Sequence, residues 1–291
     1  MSSPTVDISV IIPSYDRPEQ LKRCLAGFHF LQAPSFRYEI VVVDDGSSNP
    51  LKPLLAPQFD ALPICWLRQD NLGPATARNY GASIAQGQFI AFIDDDCLPH
   101  ASWLVTLWDI LSNQSTALVG GHTLNGLPDN LYAEASQLLV SYLYRYFEGK
   151  NGRFFTSNNF ALSRQLFMQL GGFDESMPLA AGEDREFCAR WQDAGLLLVY
   201  EPAAKVHHYH HLAASTFWQQ HVNYGRGAKL FRYLRRNKNA GPIKIEPLSF
   251  YVNLLLVPLN EKRPFSWKNL FLIGLMALSQ LANALGYFLE R

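Results

Sequence analysis

The chain carries no net charge: 25 Lys and Arg balance 25 Asp and Glu across 291 residues. A balanced chain has no long-range field to gather polyanions, so no nucleic-acid partner is expected unless a local patch supplies one. Cysteine is scarce as well. Cys24, Cys65, Cys97 and Cys188 are scattered, with no C-x-x-C pair and no zinc spacing, and they read as reduced cytosolic thiols. No G-x-G-x-x-G follows any apolar run, and G-x-x-x-x-G-K-[ST] is missing. The dinucleotide and P-loop modes of holding phosphate are therefore unsupported. The opening MSSPTVDISVIIP lacks the basic start and long apolar stretch of a signal peptide. The expected location is the cytoplasmic side.

What is present points to one large core. Nearly half the residues are hydrophobic (48%) and only 17% are charged, which suits one domain or one domain with an appendage. Over the first hundred residues, apolar strands alternate with helices. Ile8–Ile12 is a β-rich run stopped by Pro13, and a helix is expected from about Pro18 to Phe28. YEIVVVDDGS forms a second strand, Ile64–Gln69 a third, Pro74–Ala85 a helix, and Phe89–Ile93 a further strand. This alternation predicts an α/β fold with a mostly parallel sheet covered by helices.

Ligands of such sheets bind outside the carboxyl ends of the strands. Three polar ends fall there: Pro13-Ser14-Tyr15-Asp16, Asp44-Asp45-Gly46-Ser47 and Asp94-Asp95-Asp96. Adjacent carboxylates repel, and each is costly near an interior without a compensating cation or donors. On an extended segment Asp94 and Asp96 point the same way, so they could share one hard cation with Asp95 alongside. Magnesium and manganese take one or two carboxylates plus substrate phosphates and water. The residues therefore read as a divalent metal carrying a diphosphate. The other reading is a solvated cluster in which Asp96 caps the following helix.

Together these residues resemble a family-2 glycosyltransferase with the Rossmann-like GT-A fold. The family opening is Ser9-Val10-Ile11-Ile12-Pro13-Ser14-Tyr15-Asp16-Arg17, with Asp16 where Asn is commoner. VVDDGS is Val42 to Ser47, and the segment ending in DDD runs from Asn71 to Asp96 through Ala77-Arg78-Asn79. GGFDE is Gly171 to Glu175, and GED is Gly182-Glu183-Asp184. The resemblance spans residues 7 to 210 and implies a nucleotide-diphosphate sugar donor, UDP-linked by preference. It also implies Mn2+ or Mg2+, and an acceptor that is a glycan or lipid-linked sugar in surface polysaccharide or glycolipid synthesis. Asp45 would hydrogen-bond the base, with Pro13 and Tyr15 lining its pocket and Arg78 near the ribose or diphosphate. Asp94, Asp95 and Asp96 would form the DxD motif. Asp184 would be the base for inverting, hexosyltransferase-type transfer. Acidic residues also suit the first turn of a helix EDREFCARWQDAG, so Glu183-Asp184 reads as a helix start too.

Processive synthases carry Q-x-x-R-W well downstream of the acidic pair. Here Phe187-Cys-Ala-Arg-Trp191 lacks the Gln and lies too close to Asp184, which favours single addition. The rival classes are a nucleotidyltransferase of similar fold and a non-catalytic lectin-like or membrane scaffold. KVHHYHH, Lys205 to His211, follows a short strand LLLVYEP. His208, with His207 as substitute, is a candidate third metal ligand, and imidazole suits manganese better than magnesium.

From residue 211 the composition shifts, setting a 1–210 catalytic domain against a 211–291 helical, partly hydrophobic, membrane-associating tail. Arg226, Lys229, Arg232 and Arg235-Arg236 mark a basic amphipathic helix that suits an anionic membrane or plain solvent. Pro247–Pro258 is apolar but too short to span. Asn269–Leu289 approaches the roughly 20 residues a bilayer requires.

Overall fold

The computed structural model describes residues 6–150, 152–177, 181–237, 246–260 and 266–290. The Arg236 side chain of the expected basic helix lies outside the described residues. Two compact units emerge. The first comprises Met1–Leu124, Phe154–Pro178 and Glu183–Tyr209, and the second Asn125–Arg153, Leu179–Gly182 and His210–Arg291.

In the first unit the strands are β1 (Ile8–Ser14), β2 (Tyr38–Asp44), β3 (Ile64–Arg68), β4 (Phe89–Ile93), β5 (Cys97–Pro99), β6 (Ala117–Asn125), β7 (Asn159–Ser163) and β8 (Leu197–His208). The helices between them are α1 (Pro18–Phe28), α2 (Leu51–Leu55), α3 (Pro74–Ile84) and α4 (Trp103–Asn113). After α5 (Leu131–Tyr146) of the second unit come α6 (Arg164–Gln169) and α7 (Glu183–Asp193). One eight-stranded sheet runs β3-β2-β1-β4-β7-β6-β8-β5. Strands β1 to β4 pair in parallel; β1, β2 and β4 are unbroken apolar runs because both their faces are covered, while β3 lies half-buried at the sheet edge. Ile8, Val10 and Ile12 face the core shared with α1 and α4. The alternate residues Ile11 and Val43 lie so close to α3 that a Cβ on Gly81 would press into both. Beyond β4 the pairing turns antiparallel, β7 against β4 and β6, and β5 against β8.

A second apolar cluster, built of aromatics, holds α7. Phe187 lies 5.1 Å from Phe167 and 5.4 Å from Phe173, which in turn packs 5.3 Å from Phe92 of β4 (ring centroids). Such rings gain stacking and edge contacts beyond their buried area. The first turns of α7 are thereby fixed to β4, the strand that leads into Asp94.

The strand expected at LLLVYEP is longer than its apolar run. It continues as β8 through Pro202, Lys205 and both histidines to His208, because β5 supplies a partner for its last three residues.

The second unit gathers α5, α8 (Ala214–Asn237), α9 (Leu248–Asn260) and α10 (Trp267–Leu289). Leu138 and Tyr142 of α5, Phe217 of α8, Leu254 of α9 and Met276 of α10 share one core. Among the described residues α10 alone is long and apolar enough to cross a membrane.

Trp103 is fully buried at the start of α4 and donates its Nε1 to Asn159 Oδ1 (2.8 Å), whose amide reaches the Ala204 carbonyl of β8 (3.1 Å). Trp103→Phe keeps a ring but strands that buried oxygen, a loss of about 1–3 kcal/mol. Urea denaturation should show the lower midpoint at an unchanged slope.

Candidate active site

Strand register brings the three polar ends together. Ser14 lies opposite Asp44 on the neighbouring strand, and β4 ends on the other side of β1. Asp44 serves the scaffold. Burial pushes its carboxyl up, but bonds from Ser47, Leu51 and Arg68 outweigh burial and hold it below the ordinary carboxylate range. Asp45 turns the other way. Its oxygens accept from Gln69 Nε2 (2.7 Å) and from the backbone of Leu72 (3.0 Å) and Gly73 (2.9 Å). Pro13 is buried in β1, and the Tyr15 ring stands exposed next to it. Asp16 adopts φ 52°, where Asn and Asp are tolerated best among residues with a Cβ, and its carboxylate accepts from Ser48 N (2.7 Å). Asn and Asp both fit that backbone, so the departure at Asp16 leaves the loop intact.

The three aspartates do not continue the strand. Strand β4 stops at Ile93, and Cys97 N returns to the Asp94 carbonyl (3.0 Å) in a tight turn. The two-residue alternation expected for an extended segment therefore gives way: Asp94 turns to Arg78, apart from Asp95 and Asp96, which share Arg17. Asp94 meets Arg78 Nη2 (2.7 Å). Asp95 accepts from Ser14 Oγ (2.6 Å) and lies 3.3 Å from Arg17 Nη1. Asp96 lies 3.3 Å from the same Arg17 nitrogen and 3.1 Å from His208 Nε2. Burial, with the Asp96 charge next, pushes Asp95 up to about 7. His208 goes up as well: burial works against the charged ring, but Asp96 prevails. His207 goes down through burial. Antiparallel register sets His208 opposite Cys97, next to Asp96, and His207 opposite Leu98.

Arg78 ties this turn to α7. Its buried guanidinium bonds Asp94 through Nη2 and lies 3.3 Å from Glu183 Oε1 through Nη1. Its Nε and the Glu183 Oε2 are buried without a partner. Burial, reinforced by the adjoining Asp184, pushes Glu183 up to about 7. Asp184 is half-buried and accepts from Arg185 N (2.6 Å) and Ser157 N (3.4 Å), and burial raises it too. A carboxylate raised by desolvation is a better proton acceptor than a solvated one.

A carboxylate oxygen and an imidazole nitrogen 3.1 Å apart are spaced as two ligands of one small cation. The donor set of Asp96 and His208 would suit manganese or magnesium. Asp94 directs its Oδ1 to Arg78. Three contributors carried no role in the sequence reading: Ser14, Arg17 and Gln69. Ser14 and Arg17 flank the strand end and were legible as polar residues there. Gln69 comes from the end of β3, a neighbour that only the sheet order supplies.

The family model of Glycosyl transferase family 2 matches residues 9–171. Glycosyltransferase AglE of Haloferax volcanii is 28% identical over 207 residues, 69% of this chain and 66% of that protein. Pre-mycofactocin glycosyltransferase of Mycobacterium tuberculosis is 28% identical over 230 residues, 76% of this chain and 47% of that protein. The chain thus spans less than two thirds of the length of these relatives. The mannosyltransferase PcManGT of Pyrobaculum calidifontis, solved with GDP-Man and Mn2+, superimposes with a TM-score of 0.62. It is 18% identical and covers 97% of this chain and 76% of its own. That likeness shows the GT-A fold.

The raised Glu183 carboxyl makes stability depend on pH. The native state keeps a proton that the unfolded chain releases in the ordinary glutamate range, so stability falls as pH rises from that range toward about 7. Glu183→Gln cannot ionise. Its thermal midpoint should vary less than that of the unaltered protein between about pH 5 and 7. Parallel curves for the two proteins would show that Glu183 is ionised throughout.

Proposed function

The chain belongs to glycosyl transferase family 2, and from that we propose that it moves a sugar from a nucleotide-diphosphate donor to an acceptor hydroxyl, with inversion, one sugar per encounter. The observation that carries this reading is the Arg78 bridge, which joins the donor-side Asp94 to the Glu183-Asp184 pair. The 1–210 region is taken as catalytic. The 211–291 region is taken to hold the enzyme at the cytoplasmic membrane face, near a glycan or lipid-linked acceptor in polysaccharide or glycolipid synthesis.

Each group has a task. Asp45 keeps acceptor capacity on Oδ2, which takes only the Gly73 N–H, enough for the N–H of a base such as uracil. The exposed Tyr15 ring and Pro13 line that base. Arg78 offers positive charge toward the ribose or diphosphate, and Asp95 steadies Arg17 and Ser14 alongside. Asp96 and His208 would hold Mn2+ or Mg2+, with Asp94 adding charge from across the turn. When bound, the cation neutralises charge gathering on the departing diphosphate. Asp184 takes the acceptor proton as the new C–O bond forms at the anomeric carbon and the bond to the diphosphate breaks. Its desolvation raises its basicity, and Ser157 N and Arg185 N fix its direction. Support comes from a fold neighbour solved with GDP-Man and Mn2+. UDP remains the preferred donor nucleotide.

Two substitutions separate the roles. Asp96→Asn should weaken nucleotide-diphosphate binding in the presence of Mn2+, measured by calorimetry with UDP and GDP, because the cation loses a charged ligand. Asp184→Asn should leave that affinity intact while turnover falls by ~100-fold or more. Donor turnover is followed as nucleotide diphosphate release across a panel of UDP and GDP sugars. Near-normal turnover in Asp184→Asn would move the base elsewhere, with Glu183 and Asp174 next in line.

A further inference from the structure

Charge is divided sharply between the two units. The second unit holds fourteen Lys and Arg against six Asp and Glu, although the whole chain is neutral. The same unit exposes a long apolar stripe. On α10 the outward residues Trp267, Leu270, Phe271, Leu281, Leu285 and Phe288 recur at helical spacing with no charge among them. The stripe runs for about 30 Å. On α9, Leu248, Val252, Leu256 and Leu259 are exposed in the same manner. Both ends of the α10 stripe are basic. Lys268 is exposed at its start, and Arg232 donates to Tyr287 (2.8 Å) near its finish, where Arg226 and Lys229 meet Glu290.

Length alone would let α10 cross a bilayer, but its packing argues otherwise. Its inward side, Leu272, Leu275 and Met276, belongs to the core shared with α5, α8 and α9. Backbones touch where α10 meets α8. A Cβ on Gly286 would overlap the Val222 carbonyl, and one on Gly225 the Asn283 carbonyl. Crossing the membrane would strip α10 from that shared core, where it packs against α5, α8 and α9.

We propose that α9 and α10 form an in-plane docking surface for an anionic lipid bilayer, entering one leaflet to side-chain depth without spanning it. Apolar side chains enter the acyl boundary, aromatic Trp267 and Tyr287 sit at headgroup level, and Lys268 with Arg226, Lys229 and Arg232 meets lipid phosphates at the two ends of the stripe. This deepens the membrane-face reading above by assigning its orientation and its lipid.

The test co-sediments the full chain with vesicles of phosphatidylcholine alone or mixed with phosphatidylglycerol. The natural chain should partition ~10-fold or more in favour of the anionic vesicles, weaken with salt and wash off in alkaline carbonate. Leu281 and Phe288 are 65% and 81% exposed, so Leu281→Glu with Phe288→Glu should keep the fold. That variant should lose ~10-fold or more of the binding. If its helical circular dichroism drops, Leu270→Glu, on the same stripe, replaces it. Carbonate-resistant binding would mean a span and overturn the proposal. So would equal binding to neutral vesicles, or a double variant that binds as well as the natural chain. A chain that ignores vesicles but forms a dimer dissolved by the double substitution would assign the stripe to a second copy. Nucleotide release with a soluble acceptor runs in parallel. Its failure would count against sugar transfer alone, and its persistence without vesicle binding would count against the docking surface alone.

Discussion

Everything at the candidate site depends on how one buried guanidinium is shared. Three consecutive aspartates and a Glu-Asp pair are brought into one neighbourhood by a strand end and a helix start, and their mutual repulsion would open the site. Arg78 lies between them and answers Asp94 with one nitrogen and Glu183 with the other. Removing one partner of such a buried set is far more costly than forming the set is rewarding, so the arrangement specifies geometry more than it adds stability. The Arg78 Nε and Glu183 Oε2, left without partners, mark where the network stays incomplete in the protein alone.

Arg17 plays a lesser, adjustable part. It reaches Asp95 and Asp96 from an exposed position, at distances longer than the Arg78–Asp94 contact. An exposed, long ion pair contributes little to stability and is readily exchanged. A cation bound at Asp96 and His208 would compete with it directly, whereas Arg78 would stay.

The sequence was most legible where one physical rule acted alone. Runs such as Phe89–Ile93 are apolar because both sheet faces are covered, and α1 starts at Pro18 because proline suits the first helical turn. It was least legible where pairing overrode pattern. The polar second half of β8 carries no strand signal, yet β5 captures it and sets His208 beside Asp96. The antiparallel return of β7 against β4 has no local signature either, since register comes from the sheet. The aspartate turn hid for a related reason: side-chain alternation holds only while backbone stays extended, and at Asp94 it does not. The candidate-site residues stood out in composition and order, but their partners were set by topology.

Uneven charge also bears on how an anionic donor would be held. With fourteen of the basic residues in the second unit, the first retains eleven against nineteen acidic residues. A nucleotide diphosphate gains nothing from such a field at a distance, so steering cannot account for its capture. Binding must come from contacts made at short range, where a buried cation acts through a low dielectric and acidic neighbours farther off are screened. Arg78 is such a cation, and a divalent ion at Asp96 and His208 would be the stronger one. The acidic surroundings that repel free phosphate are the same groups that would concentrate Mn2+ or Mg2+. On the proposed reading the donor would enter as a cation complex, and phosphate without metal would be turned away by the very residues proposed to hold the sugar nucleotide.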